Sequence, residues 1–219
     1  MNEFENMNQG FEHNSSMPEL VTQLENENWL TSPNVKQAML AVDRADFIPK
    51  ELKNSAYIDE VLPIGYEQTI SQPKVVAFML ELLSPQPGDE LMEVGTGSGW
   101  QTGLLAYLVG KQGKISTIEV IEKLYKQAQK NLAKYDFDNI NFFCQNAKES
   151  LPGLRKGKLF DGIISAAAGK TLPVEWQKQL KIGGRMVVPV GNQIVLCERK
   201  SGHKFLIQQY PGFSFVPLV

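Results

Sequence analysis

The chain has 219 residues, 42% hydrophobic and 21% charged, with a formal net charge of -2 at pH 7. That balance excludes a disordered chain, suits one α/β domain with an N-terminal addition, and gives no electrostatic reason for a nucleic-acid partner. No apolar run approaches the roughly 18 residues of a membrane span, and Met1-Asn2-Glu3-Phe4-Glu5 lacks the basic head of a signal peptide, so the expected setting is the cytoplasm.

Residues 1–17 are polar and rich in Asn and Glu, which predicts a loose arm. Ser32 before Pro33, then Val35, Met39 and Val42 at helical spacing, predict a capped helix over 33–43. Residues 44–72 read as a long irregular connection, the kind that serves as a lid or binding loop. Pro73 opens a helix bearing Val76, Met79, Leu80 and Leu83, and Pro85-Gln86-Pro87-Gly88-Asp89 forces a turn. Strands are expected at 91–94, 115–118, 140–144, 160–165 and 186–190, with helices at 100–109 and about 121–134. That alternation argues for a largely parallel sheet covered on both faces. Residues 193–197 and 204–208 are expected as closing antiparallel strands joined at Lys200-Ser201-Gly202.

Cys144 and Cys197 sit in apolar runs and are read as two buried free thiols of a reducing compartment. With only His13 and His203 as imidazoles, neither a His-based metal site nor a Ser-His-Asp triad is expected, and the metal prediction is none.

Chemistry concentrates at Glu93-Val94-Gly95-Thr96-Gly97-Ser98-Gly99, where the first core strand turns into its helix. Alternate glycines permit a sharp turn and close approach of backbone to a ligand, and amides opening the next helix can face a polar or anionic group. The dinucleotide pattern Gly-x-Gly-x-x-Gly is not met, because position 100 is Trp100. Glu93 borders the turn and could serve a ligand ammonium, often through water. Glu119 ends the second strand, where an acidic side chain hydrogen-bonds ribose hydroxyls; the alternative is plain helix N-terminal electrostatics. Asn146, after the third strand, offers an amide for a base.

The segment Leu62-Pro63-Ile64-Gly65-Tyr66-Glu67-Gln68-Thr69-Ile70-Ser71-Gln72-Pro73, with Ala38-Met39, Val42, Arg44, Phe47-Ile48-Pro49 and Ala56-Tyr57 before it, carries a resemblance. So do the glycine turn with Trp100-Gln101, Thr117-Ile118-Glu119, Gly183-Gly184-Arg185 and Val188-Pro189-Val190-Gly191, with an echo over 213–219. The chain resembles the protein-L-isoaspartate O-methyltransferases, which repair isomerised aspartyl residues. The resemblance implies a doubly wound, mostly parallel seven-stranded Rossmann-like sheet with helices on both faces, the last two strands exchanging their usual places. It implies an arm over 1–17, a helical addition and substrate-covering loop over 18–72, and an S-adenosylmethionine-dependent methyltransferase domain over 73–219.

Carried over position by position, Ser71 matches the active-site serine beside the transferred methyl. Thr69, Ile70 and Gln72 line its pocket next to the cofactor. Glu93, Gly95, Gly97 and Glu119 surround the methionine moiety and ribose, with Thr96, Ser98, Gly99, Gln101 and Asn146 completing the cofactor set. Ile64 and Tyr66 join Ser71 in holding the acceptor. The partner implied is an isoaspartyl protein or peptide, handled by a monomer without nucleic acid or membrane, and the spent cofactor is S-adenosylhomocysteine. Where the family has Gly-Asp-Gly after the third strand this chain has Asn146-Ala147-Lys148, and its link from Val190 to the C-terminal echo is shorter.

A carboxylate acceptor is ionised near pH 7 and needs no strong base, so alignment and water exclusion carry the chemistry. Ser71 is then a hydrogen-bond donor, not a nucleophile, since nothing nearby in the sequence activates it. Its other reading is an N-cap for the helix at Pro73. Two other functions compete: a same-fold carboxyl methyltransferase for a different peptide or small molecule, and a non-catalytic cofactor-binding module. A dehydrogenase lacks its glycine spacing and its catalytic pair.

Overall fold

The computed structural model describes residues 15–147 and 157–218. Of the expected arm, residues 1–14 lie outside this range. Met17 instead begins a helix, α1 (Met17–Asn26), and is buried with Leu20, Val21 and Leu24, the i, i+3, i+4, i+7 stripe of an amphipathic helix. Helix α2 (Pro33–Ala41) follows as expected. Ser32 stands at its N-cap position but caps nothing. Its hydroxyl and amide, with those of Thr31, all bond the Glu81 carboxylate at 2.6–3.0 Å, which anchors the addition to the main domain.

The stretch read as irregular holds more structure than expected. It contains 3-10 helices at Arg44–Phe47 and Lys50–Ser55 and a two-stranded hairpin, β1 (Leu62–Gly65) with β2 (Gln68–Ile70). Tyr66 and Glu67 at the tip have φ of 54° and 58°, left-handed values that a tight hairpin demands and that Asn or Gly usually supply.

Beyond it come α3 (Pro73–Leu83), β3 (Glu90–Val94), α4 (Trp100–Val109), β4 (Lys114–Glu119), α5 (Glu122–Leu132), β5 (Ile140–Cys144), β6 (Phe160–Ser165) and α6 (Val174–Lys178). The chain ends in β7 (Leu180–Val190), β8 (Gln193–Ser201) and β9 (Lys204–Pro211). The seven-stranded sheet runs β5-β4-β3-β6-β7-β8-β9, the α/β architecture expected. Strands β5 to β7 across that order are parallel, and β8 and β9 continue antiparallel in chain order to the edge. Side chains alternate between two cores, Leu91, Ile115, Ile164 and Val187 on one face and Met92, Val94, Ile118, Ile163 and Met186 on the other. Cys197 is buried, but Cys144 is exposed, because β5 is an edge strand; the expectation of two buried thiols fails there. Among the described residues no helix is long and apolar enough to cross a membrane.

β3 pairs with β4 on one side and β6 on the other. The strand order therefore reverses at β3, and a crevice opens beyond the carboxyl ends of these parallel strands, where such sheets bind ligands.

Candidate active site

The glycine turn caps that crevice. Gly99 has φ +93° at the N-cap of α4, and a Cβ there would sit 3.0 Å from Leu132 Cδ1 and 3.3 Å from Ala128 Cβ, so only glycine fits unstrained. A Cβ on Gly95 would reach 3.6 Å from Ala166 Cβ, into the crevice wall. The turn's amides are spent internally. Gly95 and Thr96 N donate to Ile118 O, Gly97 N to Glu119 Oε2 and Gly99 N to Thr96 O. These four turn amides are therefore not free to face a ligand, and the turn offers it close backbone approach instead.

Glu119 is nearly buried. Its two oxygens accept from Gly97 N and Ile121 N, both at 2.9 Å, so the helix-start role and a place in the crevice coexist. Each oxygen keeps a further lone pair for a hydroxyl. Glu93 stands elsewhere. It is fully buried on the opposite face of β3 from Val94 and lines no cavity. Gln101 Nε2, Thr102 Oγ1 and Thr117 Oγ1 all donate to it. Burial, with Glu119 adding repulsion, pushes its carboxyl up to about 7 against the pull of those three bonds. Thr117 spends its one proton on Glu93, so Thr96, 2.6 Å away, is the donor in the Thr96–Thr117 pair. Glu93 thus reaches the site only through Gln101 and Thr96, both lining the inner cleft.

Three connected spaces surround the turn. The first is walled by Gly95, Gly97 and Glu119, by the apolar Ile118 and Leu124, and by Pro217 and Leu218 of the C-terminal segment. The second holds Ser71, Gln72, Val61 and Val75 against Phe213 and Phe215. A small inner cleft joins Ile70, Ser71 and Ser98 to Gln101. Thr69 and Ala166 line all three, and Val216 lines the first two. Ala168 fixes that C-terminal wall, its N donating to Val216 O and its O accepting from Leu218 N at 2.8 and 2.9 Å.

Ser71 is half-buried, and among the described residues its hydroxyl has no partner, while its carbonyl accepts from Arg44 Nη2. It does not cap α3; Gln72 holds the cap position and turns its amide to Asp59. Ile64 and Tyr66 do not share the Ser71 cavity. They line a separate groove on the other side of the hairpin, facing α5, where Lys123 Nζ lies 5.3 Å from the Tyr66 ring centroid. Asn146 is exposed and off the first cavity, which its neighbours Gln145 and Ala147 line instead; Lys148 is outside the described residues. Sequence reasoning named none of Ala166, Val216, Pro217 and Leu218 as site residues, although the small-residue run after β6 and the C-terminal Val-Pro-Leu were visible.

A model of the protein-L-isoaspartate(D-aspartate) O-methyltransferase family matches residues 15–219. The chain belongs to that family. Protein-L-isoaspartate O-methyltransferases of Fervidobacterium nodosum and Ignicoccus hospitalis are 42% and 38% identical to it, over 85% and 92% of this chain and 94% and 96% of theirs. A Plasmodium falciparum chain named for the same family, solved in complex with S-adenosyl-L-homocysteine, superposes with a TM-score of 0.84 at 23% identity, over 94% of this chain and 99% of that one. At that identity the superposition speaks for the fold. The first two cavities meet at Thr69 and Ala166.

Proposed function

We propose that the chain transfers the methyl group of S-adenosylmethionine to the free carboxylate of L-isoaspartyl residues in damaged polypeptides, leaving S-adenosylhomocysteine. The observation that carries the reading is the shared wall, since Thr69, Ala166 and Val216 bring the Glu119 cavity, read as the donor site, and the Ser71 cavity, read as the acceptor site, edge to edge. The donor cavity suits the cofactor. Glu119 can accept from a ribose diol, Ile118, Leu124 and Leu218 give apolar surface for a flat base, and the satisfied turn amides suit a ligand without phosphate.

When bound, S-adenosylmethionine supplies an electrophilic methyl carbon whose bond to sulfur breaks as an acceptor oxygen bonds to it. The chain's own residues orient and exclude water. Among the described residues no titratable side chain lines the acceptor cavity, which fits a nucleophile that arrives already ionised. Ser71 Oγ, free of internal partners, donates to the acceptor carboxylate, and Phe213 and Phe215 displace solvent. The hairpin of the 18–72 addition carries Thr69 and delivers Ser71. The working form we infer is a cytoplasmic monomer acting on polypeptides; the net charge of -2 supports a partner other than nucleic acid.

The test compares methyl transfer to an isoaspartyl peptide and to its normal-aspartyl counterpart, for the native chain and for Ser71→Ala. Transfer to the isoaspartyl form alone is expected. The variant should bind cofactor normally and lose about tenfold to a hundredfold in turnover, the worth of one charge-assisted hydrogen bond. Equal transfer to both peptides would move the function to a broader carboxyl methyltransferase. Weakened cofactor binding with unchanged turnover at saturation would remove Ser71 from the chemistry.

A further inference from the structure

Arg44 opens the 3-10 helix Arg44–Phe47 and is fully buried. A buried cation ordinarily requires an ionic partner. This one meets four backbone carbonyls instead. Nη1 donates to Ala56 O at 2.8 Å and to Ile58 O at 3.4 Å, and Nη2 to Glu60 O at 2.8 Å and to Ser71 O at 3.2 Å. The guanidinium carbon lies 5.5 Å from the centroid of the Trp100 ring, whose Nε1 donates to Val42 O at 3.0 Å. Nε has no partner. Burial draws the group down to about 10, with Asp59 pulling it back up, so it stays charged at neutral pH.

The carbonyls belong to two segments: the 56–60 loop and the residue that presents its hydroxyl to the acceptor cavity. A second tie joins the same two segments, because Gln72 Nε2 donates to Asp59 O at 2.6 Å and to Asp59 Oδ2 at 3.0 Å. The peptide plane between Ser71 and Gln72 is therefore gripped at its carbonyl by Arg44 and at its next side chain by Asp59. Turning that plane swings the Ser71 Cα–Cβ bond. Trp100, against which the guanidinium rests, begins α4 directly after the glycine turn and lines the inner cleft with Ser71.

We propose that Arg44 is a positioning residue that fixes Ser71 against the cofactor turn by clamping the 56–60 loop and the Ser71 carbonyl behind the acceptor cavity. The inference rests on the methyl-transfer reading for its consequence and on the clamp geometry for its substance. A planar guanidinium reaches carbonyls on two sides at once. A lysine ammonium keeps the charge but is a compact tetrahedral donor on a shorter reach, so Arg44→Lys surrenders the Ser71 arm first. Arg44→Gln removes the charge and keeps one amide donor group.

The experiment measures three quantities on the native chain and on both variants: kcat/KM for an isoaspartyl peptide, Kd for S-adenosylhomocysteine, and hydrogen exchange by segment. Expected for Arg44→Lys is a loss of about tenfold to a hundredfold in kcat/KM, up to that of removing the Ser71 hydroxyl, because the donor that orients the acceptor is displaced. Kd should stay within about threefold, and exchange should quicken about tenfold over 56–60 and 68–73 but not over 91–101. Arg44→Gln should show the same split. Unchanged kcat/KM in a folded variant overturns the proposal, as does a matching loss of S-adenosylhomocysteine affinity. Failure of both variants to fold would assign Arg44 to folding alone and overturn it equally. Should the native chain methylate no peptide, the functional reading fails on that arm, and segmental exchange still decides the clamp.

Discussion

Replacing Glu93 with Gln isolates one buried carboxyl whose ionisation opposes folding. Glu93 has no cation near it, and burial raises it from 4.5 to about 7. Below pH 4.5 it is protonated in both folded and unfolded chains. As pH rises from about 4.5 to 7 the unfolded chain releases the proton while the folded chain retains it, so stability falls with pH across that window and levels off above it. A difference of about 2.5 pKa units at roughly 1.4 kcal/mol each is about 3 kcal/mol. Glu93→Gln keeps the volume and cannot ionise. The assay is urea unfolding of both proteins at pH 5 and pH 8, and every other titrating group cancels in the comparison. Relative to the native chain, the variant should gain about 2–3 kcal/mol on going from pH 5 to pH 8. A native-minus-variant difference that stays constant across the range would refute the reasoning. The new amide must place its NH2 against Gln101, which donates to Oε1, or against the hydroxyls of Thr102 and Thr117. Either choice rearranges donors that flank the inner cleft, so cofactor affinity should fall about tenfold as well.

Gly99→Ala places a Cβ 3.0 Å from Leu132 Cδ1 at a φ of +93° and should cost about 1–3 kcal/mol, read as a melting temperature several degrees lower; an unchanged value would mean that the turn relaxes freely. Deleting residues 213–219 removes Val216, which walls both larger cavities, and Pro217 and Leu218 of the donor cavity. Cofactor and peptide affinities should each fall by at least about tenfold, with far-UV circular dichroism unchanged because no strand of the sheet is lost; loss of peptide affinity alone would contradict the shared wall.

Three elements were legible to the residue: α4 at 100–109, β5 at 140–144 and β6 at 160–165 match. β7 begins six residues before the expected 186 because Gly183-Gly184 reads as a break. In the structure the pair is a bulge. Gly183 has φ +83°, the pairing register shifts between Phe160 and Gly162, and a Cβ on Gly184 would lie 2.9 Å from Asp161 O. The hairpin at 62–70 stayed hidden for the converse reason. Its tip is Tyr66-Glu67, held left-handed without the Gly or Asn that announces such a turn. Of the Met17–Leu24 stripe of α1 only Met17 was read with the polar arm; the rest fell in the expected helical addition with no helix assigned there.

The expected site residues that lie off the first two cavities share one physical cause. Glu93, Asn146 and the pair Ile64 and Tyr66 were named from chemical type or from the resemblance, and side chains of extended chain alternate in direction. Val94 faces the donor cavity and Glu93 faces away; Gln145 and Ala147 face it and Asn146 does not. The hairpin likewise presents Thr69 to the cavities and Ile64 and Tyr66 to the groove against α5. Residue type is written in the sequence, but the face a residue presents depends on which strand pairs beside it and where a distant segment returns. Val216 shows the second dependence. It stands 50 positions from Ala166 in sequence, yet both line the donor and acceptor cavities. Ser71 lies in the second cavity, where the local run Gln68–Pro73 puts it, and its carbonyl is held by Arg44, 27 residues earlier. A site residue one step out of phase is therefore the characteristic error of reading a strand end without its partners, and a residue behind the cavity, holding another in place, is what such a reading passes over.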